Sequence, residues 1–208
     1  MKGTKLIIQI VLVIGVIFLG YMLYSSIMEP VKYKKVKTQR EKVIINKLLN
    51  IKELQVEYKI INNKYTASFD TLKDFYLNGQ MAVVLKVGTN DTLTEERALE
   101  LGLISRDTTY ISIKDTLLTD VENFNINTID IVPFTDGKVK FKMNAGFVDK
   151  NNFKVAVFEV SCLMEDYLSD IEQQELLKNQ MILIKEDGKF PGLILGSMEE
   201  PSTDGNWQ

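Results

Sequence analysis

The chain has 208 residues, with 45% hydrophobic side chains, 25 Lys and Arg, 28 Asp and Glu, one Cys and no His. Without His or a second Cys, the sequence excludes Ser-His-Asp triads, histidine metal sites, histidine pH switches and intrachain disulfides. A formal net charge of −3 disfavours nucleic acid as the main partner, because phosphate binding requires a basic surface.

The hydrophobic side chains are concentrated near the N-terminus. From Leu6 to Leu23 the one clearly polar side chain is Gln9, and Tyr24 follows where an interfacial aromatic residue is expected. At about 1.5 Å per residue this segment makes a helix about 27 Å long, close to the roughly 30 Å hydrocarbon core of a bilayer. We therefore predict an uncleaved membrane anchor over residues 1–28, with a cleaved signal peptide as the alternative.

A membrane-proximal basic cluster follows the span. Its members are Lys32, Lys34, Lys35, Lys37, Arg40 and Lys42. The positive-inside rule alone places the following domain in the cytoplasm, whereas a short basic tail before the span is typical of a signal anchor that exports it. We favour export. The cluster is interpreted either as a contact for anionic lipid headgroups or as a solvated helical face.

A helical stalk is predicted over residues 29–61, because Pro30 suits a helix start and no Gly or Pro follows it there. Apolar residues recur at spacings of three and four, namely Ile44, Leu48, Ile51, Leu54, Tyr58 and Ile61. The part up to Lys42 is expected to be too polar for burial. The stalk therefore becomes an amphipathic helix, packed on its own domain or, as the alternative, on a coiled-coil partner.

Residues 62–197 are predicted to form a globular α+β domain. Helices are expected over residues 69–76, 94–101 and 164–177, and strands over residues 83–87, 109–114, 129–133, 138–144, 154–160 and 181–184. Turns at residues 135–137 and 149–152 favour an antiparallel meander. Residues 198–208 form a polar tail that is either loose or pinned by Trp207.

Two further features have both a structural and a functional interpretation. Cys162 follows an apolar run and is interpreted as a buried structural thiol, with a lipid or an intermolecular partner as the alternative. Acidic residues cluster at 91–96 and at Glu165, Asp166, Asp170 and Glu172. We interpret them as helix N-terminal charge, with calcium binding as the alternative. No cofactor, metal ligand set or catalytic residue is predicted.

Residues 51–66 and 68–72 resemble the corresponding stretch of type IV pilins and type II secretion pseudopilins. In that family an apolar N-terminal helix continues into an amphipathic half and ends in a turn before a short helix and a β-meander. The resemblance covers the N-terminal third and implies a pilin-like outline. The family's prepilin cleavage motif is lacking, since Gly3 is followed by Thr4, and Ile8 stands at the Glu position.

A larger part of the chain resembles an uncharacterised single-pass membrane protein family of Bacteroidetes. The matching segments are residues 26–31, 66–75, 94–107, 190–193, 196–200 and 205–207. This resemblance implies a Gram-negative cell envelope. With the exported orientation, it implies an inner-membrane span and a periplasmic C-terminal domain.

These features together predict a non-enzymatic, membrane-anchored cell-envelope protein. Its soluble domain is expected to mediate protein–protein interaction with another envelope protein or with a second copy, for example in a pilin-like or secretion assembly. No nucleic acid or small-molecule substrate is identified. The alternative is a carboxylate-dependent envelope enzyme such as a glycan hydrolase, because that chemistry needs no His. A cytoplasm-facing scaffold is the third hypothesis, if the positive-inside rule decides the orientation.

Overall fold

The computed structural model describes residues 2–87, 105–122, 124–150 and 153–208. Within them the fold is α+β, as predicted: a long N-terminal helix precedes antiparallel sheets and shorter helices. The elements are α1 (Lys2–Asn62), α2 (Phe69–Asn78), β1 (Gln80–Val87), β2 (Ser105–Ser112), β3 (Lys142–Lys150), β4 (Phe153–Leu163), α3 (Met164–Tyr167), α4 (Gln174–Glu186) and β5 (Gly192–Gly196). The helix predicted over residues 94–101 lies outside the described residues.

Helix α1 runs without interruption through Pro30, which confirms the prediction that the N-terminal apolar helix continues into the stalk helix, although Pro30 does not mark a helix start. Proline has no N–H and therefore leaves the Ser26 carbonyl without its helical donor. Both residues are exposed. The Ser25 hydroxyl donates to Glu29 across the same turn at 3.2 Å.

Packing divides the chain into two compact units. The first comprises Met1–Asn46, Val132–Lys140 and Cys162–Leu193. The second comprises Lys47–Ile131, Phe141–Ser161 and Ile194–Gln208. Helix α1 contributes to both, so its sequence has to suit two different environments.

The amphipathic face of α1 is confirmed over most of its predicted length. Its fully buried members are Ile44, Leu48, Ile51 and Leu54. Burying each such side chain contributes about 1.5–3 kcal/mol to folding. Ile61, predicted on the same face, is instead 41% exposed. The helix ends at Asn62, and Asn63 follows with a φ of 57°, a left-handed conformation that Asn tolerates.

Gln55 is a fully buried polar residue on α1. Its side-chain amide donates to the Thr66 carbonyl at 2.6 Å and accepts from the Thr66 N–H at 3.1 Å. These two hydrogen bonds pair both the N–H and the carbonyl of Thr66, which would otherwise need another backbone segment as a partner. It holds the connection into α2, whose predicted start is confirmed by the Ser68 hydroxyl, which accepts from the Thr71 N–H at 3.3 Å.

The sheets are antiparallel, as the alternating sequence predicts. β1 pairs with β2 from Gln80 opposite Ser112 to Val87 opposite Ser105. β3 pairs with β4 from Lys142 opposite Ser161 to Lys150 opposite Phe153, and β5 lies on the other side of β4. The connecting residues 151–152 lie outside the described part of the chain.

The strand predicted over residues 129–133 is reduced to a short pairing, in which the Val132 N–H donates to the Val139 carbonyl at 2.9 Å and the Phe141 N–H donates to the Asp130 carbonyl at 2.8 Å. A 3-10 turn, Ile126–Thr128, leads into it, and the Lys47 ammonium donates to the carbonyls of Thr128 at 2.5 Å and Ile131 at 2.7 Å. The Lys47 side chain therefore supplies a donor to both carbonyls, and the Thr128 carbonyl also accepts from the Ile131 N–H at 3.1 Å. β3 also begins at Lys142, four residues later than predicted. Around this start the sequence alternates as a strand with one buried face does, because Phe141 and Met143 are buried and Lys142 is exposed.

The segment predicted as one helix and one strand near the C-terminus is arranged differently. The helix predicted over residues 164–177 is split into α3 and α4, and the strand predicted over residues 181–184 belongs to α4. The break is held by Gln174, whose side-chain amide donates to the carbonyls of Leu168, Ser169 and Ile171 at 2.9–3.1 Å. A side chain thus satisfies backbone groups that helix continuation would have paired.

The C-terminal tail is pinned. Leu195 forms an antiparallel bridge with Gly205, and the Asn206 side chain accepts from the Ile194 N–H at 3.2 Å. Trp207 is half-buried and lies against Gly205, where a Cβ would overlap its ring. Backbone pairing and Asn206 therefore supplement the predicted indole contact.

Replacing Gly196 with Ala is expected to destabilise the fold more than the same change at Gly188. Both glycines have left-handed φ angles, 76° and 70°, which cost about 1–2 kcal/mol with a Cβ. At Gly196 the Cβ would also overlap the Phe158 carbonyl oxygen, whereas at Gly188 it meets no described atom nearby. Urea unfolding of the full chain in detergent, followed by circular dichroism, measures both. Equal losses would contradict the close approach of β5 to β4.

Candidate membrane-proximal site

Helix α1 supplies the candidate membrane span. From Gln9 onward it is long and apolar enough to cross a membrane, by length and composition, and its most apolar stretch is not buried against protein. Leu6 belongs to the same helix, and Leu23 and Tyr24 near the end of the span are exposed. An uncovered apolar helix suits a lipid environment, although a signal sequence meets the same criteria.

The basic cluster lies on α1 directly after the span, but its members do not share one role. Lys32, Lys34, Lys35 and Lys42 are exposed and form no ion pair with any described residue. Lys37 and Arg40 are partly buried and have partners. The cluster therefore combines four lysines that have no ion-pair partner among the described residues with two paired members, Lys37 and Arg40.

Arg40 is held by α3 and by the loop that follows it. Its guanidinium donates to the Tyr167 carbonyl at 2.7 Å and to both carboxylate oxygens of Asp170, with an Nη2–Oδ2 distance of 2.9 Å. It also lies 5.0 Å from the centre of the Phe134 ring. The hydrogen bond from Arg40 lowers the pKa of Asp170, and the same bond raises the pKa of Arg40.

Two tyrosines complete this contact. Tyr33 is 8% exposed, and its hydroxyl donates to Gln180 at 2.6 Å. Tyr167 is fully buried, and its hydroxyl donates at 3.0 Å to Glu41, which also pairs with Lys37 at 3.8 Å. Burial, and then the Glu41 charge, raises the pKa of Tyr33 to about 12 and also raises the pKa of Tyr167. The expectation that this part of α1 is too polar for burial is therefore wrong.

In the acidic cluster at residues 165–172, two members have structural roles. Asp166 accepts from the Leu163 N–H at 3.3 Å at the start of α3, and Asp170 binds Arg40. Asp166 therefore acts at a helix N-terminus, as predicted. Glu172 is exposed and borders a groove of about 420 Å³ together with Glu29 and Glu175.

Among the residues that the structure describes, no group of three or more His, Cys, Asp or Glu side chains is placed so that it could bind a metal ion. The acidic run over residues 91–96 lies outside that part of the chain. Calcium binding by that run stays a prediction.

Cys162 is buried, as predicted. Burial raises the pKa of its thiol to about 12. Because the thiolate is the reactive form, this environment disfavours nucleophilic chemistry at Cys162.

The second unit exposes large apolar side chains at the end of its β3–β4 hairpin. Phe147 on β3 is 57% exposed and Phe153, the first residue of β4, is 73% exposed. Phe147 pairs with Ala156 and Phe153 pairs with Lys150, so the two aromatic side chains lie on opposite faces of the hairpin. In the strand order β3-β4-β5, β3 forms an edge of the described sheet. The alternation of apolar and polar residues does not identify this end of the hairpin, because it does not show which apolar side chains extend beyond the buried core.

No protein-family model, curated protein or solved structure matches the chain. The candidate surfaces therefore rest on the residues and their geometry.

Replacing Arg40 with Gln is expected to lower the melting temperature of the full chain at neutral pH. The lost hydrogen bonds cost about 1–2 kcal/mol at most, because the Asp170 side chain is 61% exposed and the ion pair is screened. Since Asp170 has a lowered pKa in the folded state, its stabilisation is present above its usual value of 3.8 and is lost as the pH falls through the lowered value. The difference between wild type and variant should therefore shrink in acid.

The control is Lys42→Gln, which removes an exposed lysine from the same helix. It should leave the melting temperature unchanged at both pH values. Equal effects of the two substitutions, or an Arg40→Gln effect that does not shrink in acid, would contradict the assigned role of the Arg40–Asp170 pair.

Proposed function

We propose that the chain is a single-pass, membrane-anchored protein of the cell envelope that acts through protein–protein contacts and not through catalysis. The observation that carries the proposal is one uncovered apolar helix, α1, in the same chain as an exposed aromatic hairpin end at Phe147 and Phe153. The first feature supports anchoring. The second supports a partner for the soluble part.

The inner membrane and the periplasm are the proposed locations. The resemblance to a single-pass family of Bacteroidetes supports a Gram-negative envelope. The short N-terminal tail with Lys2 and Lys5 supports a signal anchor that exports the residues beyond the span. The lysines after the span favour the opposite orientation under the positive-inside rule, and a C-terminal reporter fusion distinguishes the two.

The proposed partner surface is the end of the β3–β4 hairpin. Single exposed apolar residues are ordinary on protein surfaces, but two aromatic side chains beside an edge strand favour binding. An edge strand offers unpaired backbone groups to another strand, and the flanking side chains add specificity. Another envelope protein or a second copy of this chain fits this chemistry. The pilin resemblance of the N-terminal third supports an assembly as the setting.

Alkaline phosphatase fused after Gln208 is expected to be active in cells, because the proposed orientation exports the C-terminus. A β-galactosidase fusion at the same position should be inactive, since that enzyme works in the cytoplasm. The reverse pattern would contradict the periplasmic location and favour the cytoplasm-facing scaffold.

A photoreactive amino acid placed at Phe153 of the full chain is expected to give a discrete crosslinked product in cells. The matched control is Glu200, which is exposed in the same unit and should give none. A product that contains this chain alone indicates self-association, and one with a second protein identifies an envelope partner. No product at Phe153, or equal products at both positions, would contradict the proposed surface.

A further inference from the structure

Strand β3 has one edge that is paired and one that is open within the described sheet. β4 lies along one edge from Lys142 to Lys150, and the strand order β3-β4-β5 leaves the other edge of β3 at the border of that sheet. Just before β3, the Phe141 N–H donates to the Asp130 carbonyl at 2.8 Å. Asp130 therefore covers the edge at the start of β3, and the edge from Met143 onward can accept another strand.

The Phe141–Asp130 hydrogen bond identifies the residues whose backbone groups face the open edge. The N–H and carbonyl of successive strand residues point to opposite edges, so every second residue shares an edge. The residues that face the same edge as Phe141 are Met143, Ala145, Phe147 and Asp149. The residues between them direct their backbone groups to β4. An added strand would therefore bond to every second residue of β3.

The side chain of Phe147 adds an apolar contact to this edge. Met143 is buried on the same face of the strand, and Ala145 lies opposite the fully buried Phe158 of β4. The apolar face thus extends past the core to Phe147, which is 57% exposed. An aromatic residue in this position gains about 0.2–1 kcal/mol when a suitable side chain lies opposite it on a neighbouring strand.

A second copy of β3 fits this edge in one register. A twofold axis joins the same edge of two copies as antiparallel strands, and the bonding groups meet when the axis passes through a residue that faces the edge. An axis at Ala145 or earlier would place the second copy opposite Phe141, where Asp130 already lies. An axis at Asp149 would oppose two Asp149 carboxylates, which repel each other. An axis at Phe147 avoids both conflicts.

The register with the axis at Phe147 gives compatible pairs along the whole strand. The two Phe147 side chains lie directly opposite each other, as a cross-strand aromatic pair. The other pairs oppose neither like charges nor two large side chains, namely Asn144 with Lys150, Ala145 with Asp149, and Gly146 with Val148. The edge is therefore complementary to itself.

We propose that the partner of the β3–β4 hairpin end is a second copy of this chain, bound by antiparallel pairing of the two β3 edges across a twofold axis at Phe147. The inference rests on the proposed function, in which this hairpin end is the partner surface. Backbone hydrogen bonds supply affinity, and the Phe147 pair supplies the register. A strand pair buries little area, but anchoring in one membrane raises the effective concentration of the copies and so favours pairing.

Single cysteines on β3 of the full chain, oxidised with copper phenanthroline in cell membranes, test the register. Phe147→Cys is expected to form a disulfide-linked dimer, because directly opposed residues have Cα atoms about 5.5 Å apart, within disulfide range. The unsubstituted chain controls for Cys162, which is buried.

The matched controls are Ala145→Cys and Asp149→Cys, on the same face of the same strand. In this register each is displaced by four residues, or about 14 Å, from its copy in the second chain. Each alone should therefore give a dimer band about fivefold weaker or less than Phe147→Cys. Co-expressed, the two variants should crosslink to each other, because positions 145 and 149 are opposed.

Adding Asp149→Pro to Phe147→Cys should weaken the dimer band. The substitution removes an N–H that faces the open edge, whereas the residues that bond to β4 keep theirs. Circular dichroism of each purified variant in detergent checks that the chain stays folded.

Equal dimer bands for cysteine at positions 145, 147 and 149 would overturn the register and with it the strand pairing. No disulfide with Phe147→Cys, together with a second protein crosslinked at Phe153, would overturn self-pairing and leave the proposed partner surface intact. No product in either experiment would overturn both the self-pairing and the partner surface.

Discussion

The structure depends on the continuity of α1 through Pro30. The same helix has three segments with different surfaces. Its N-terminal part is apolar on all sides and is not covered by protein, and a basic segment follows. Its last part is amphipathic, with Leu48, Ile51 and Leu54 buried in a core. A helix break at Pro30 would free the following residues from the direction of the span. Pro30 removes one backbone hydrogen bond, yet the helix continues through it.

The segment just beyond the span docks by polar contacts for a physical reason. A long apolar stripe here would extend the hydrophobic length of the helix and change its fit to the bilayer. Tyr33, Arg40 and Glu41 bind α3, α4 and the loop between them without adding such a stripe. The bidentate Arg40–Asp170 pair fixes the relative orientation of the two groups, and the buried Tyr167 ring contributes apolar contact area. Lys32, Lys34, Lys35 and Lys42 form no ion pair within the described part of the chain, whereas Lys37 pairs with Glu41.

Sequence reasoning predicts the elements whose signals are local. The α1 apolar spacing, the start of α2 at Phe69 and the antiparallel β3–β4 turn are each encoded within a few residues, and the structure confirms them. Sequence reasoning fails where a side chain from a distant part of the chain determines the local backbone structure. Lys47 donates to the Thr128 and Ile131 carbonyls, where the backbone turns before a pairing of only two hydrogen bonds, and Gln174 holds the break between α3 and α4. Burial of Tyr33, Arg40 and Gln55 likewise depends on partners far along the chain, which periodicity does not encode.

The central claim is that the basic segment of α1 is docked and is not a free stalk. Hydrogen–deuterium exchange of the full chain in lipid tests it most directly, since an undocked helix opens and exchanges rapidly. The account predicts that amides of residues 31–42 exchange as slowly as those of residues 47–55, where the helix is buried. Exchange of residues 31–42 that is much faster than that of residues 47–55, as in a solvated helix, would contradict it.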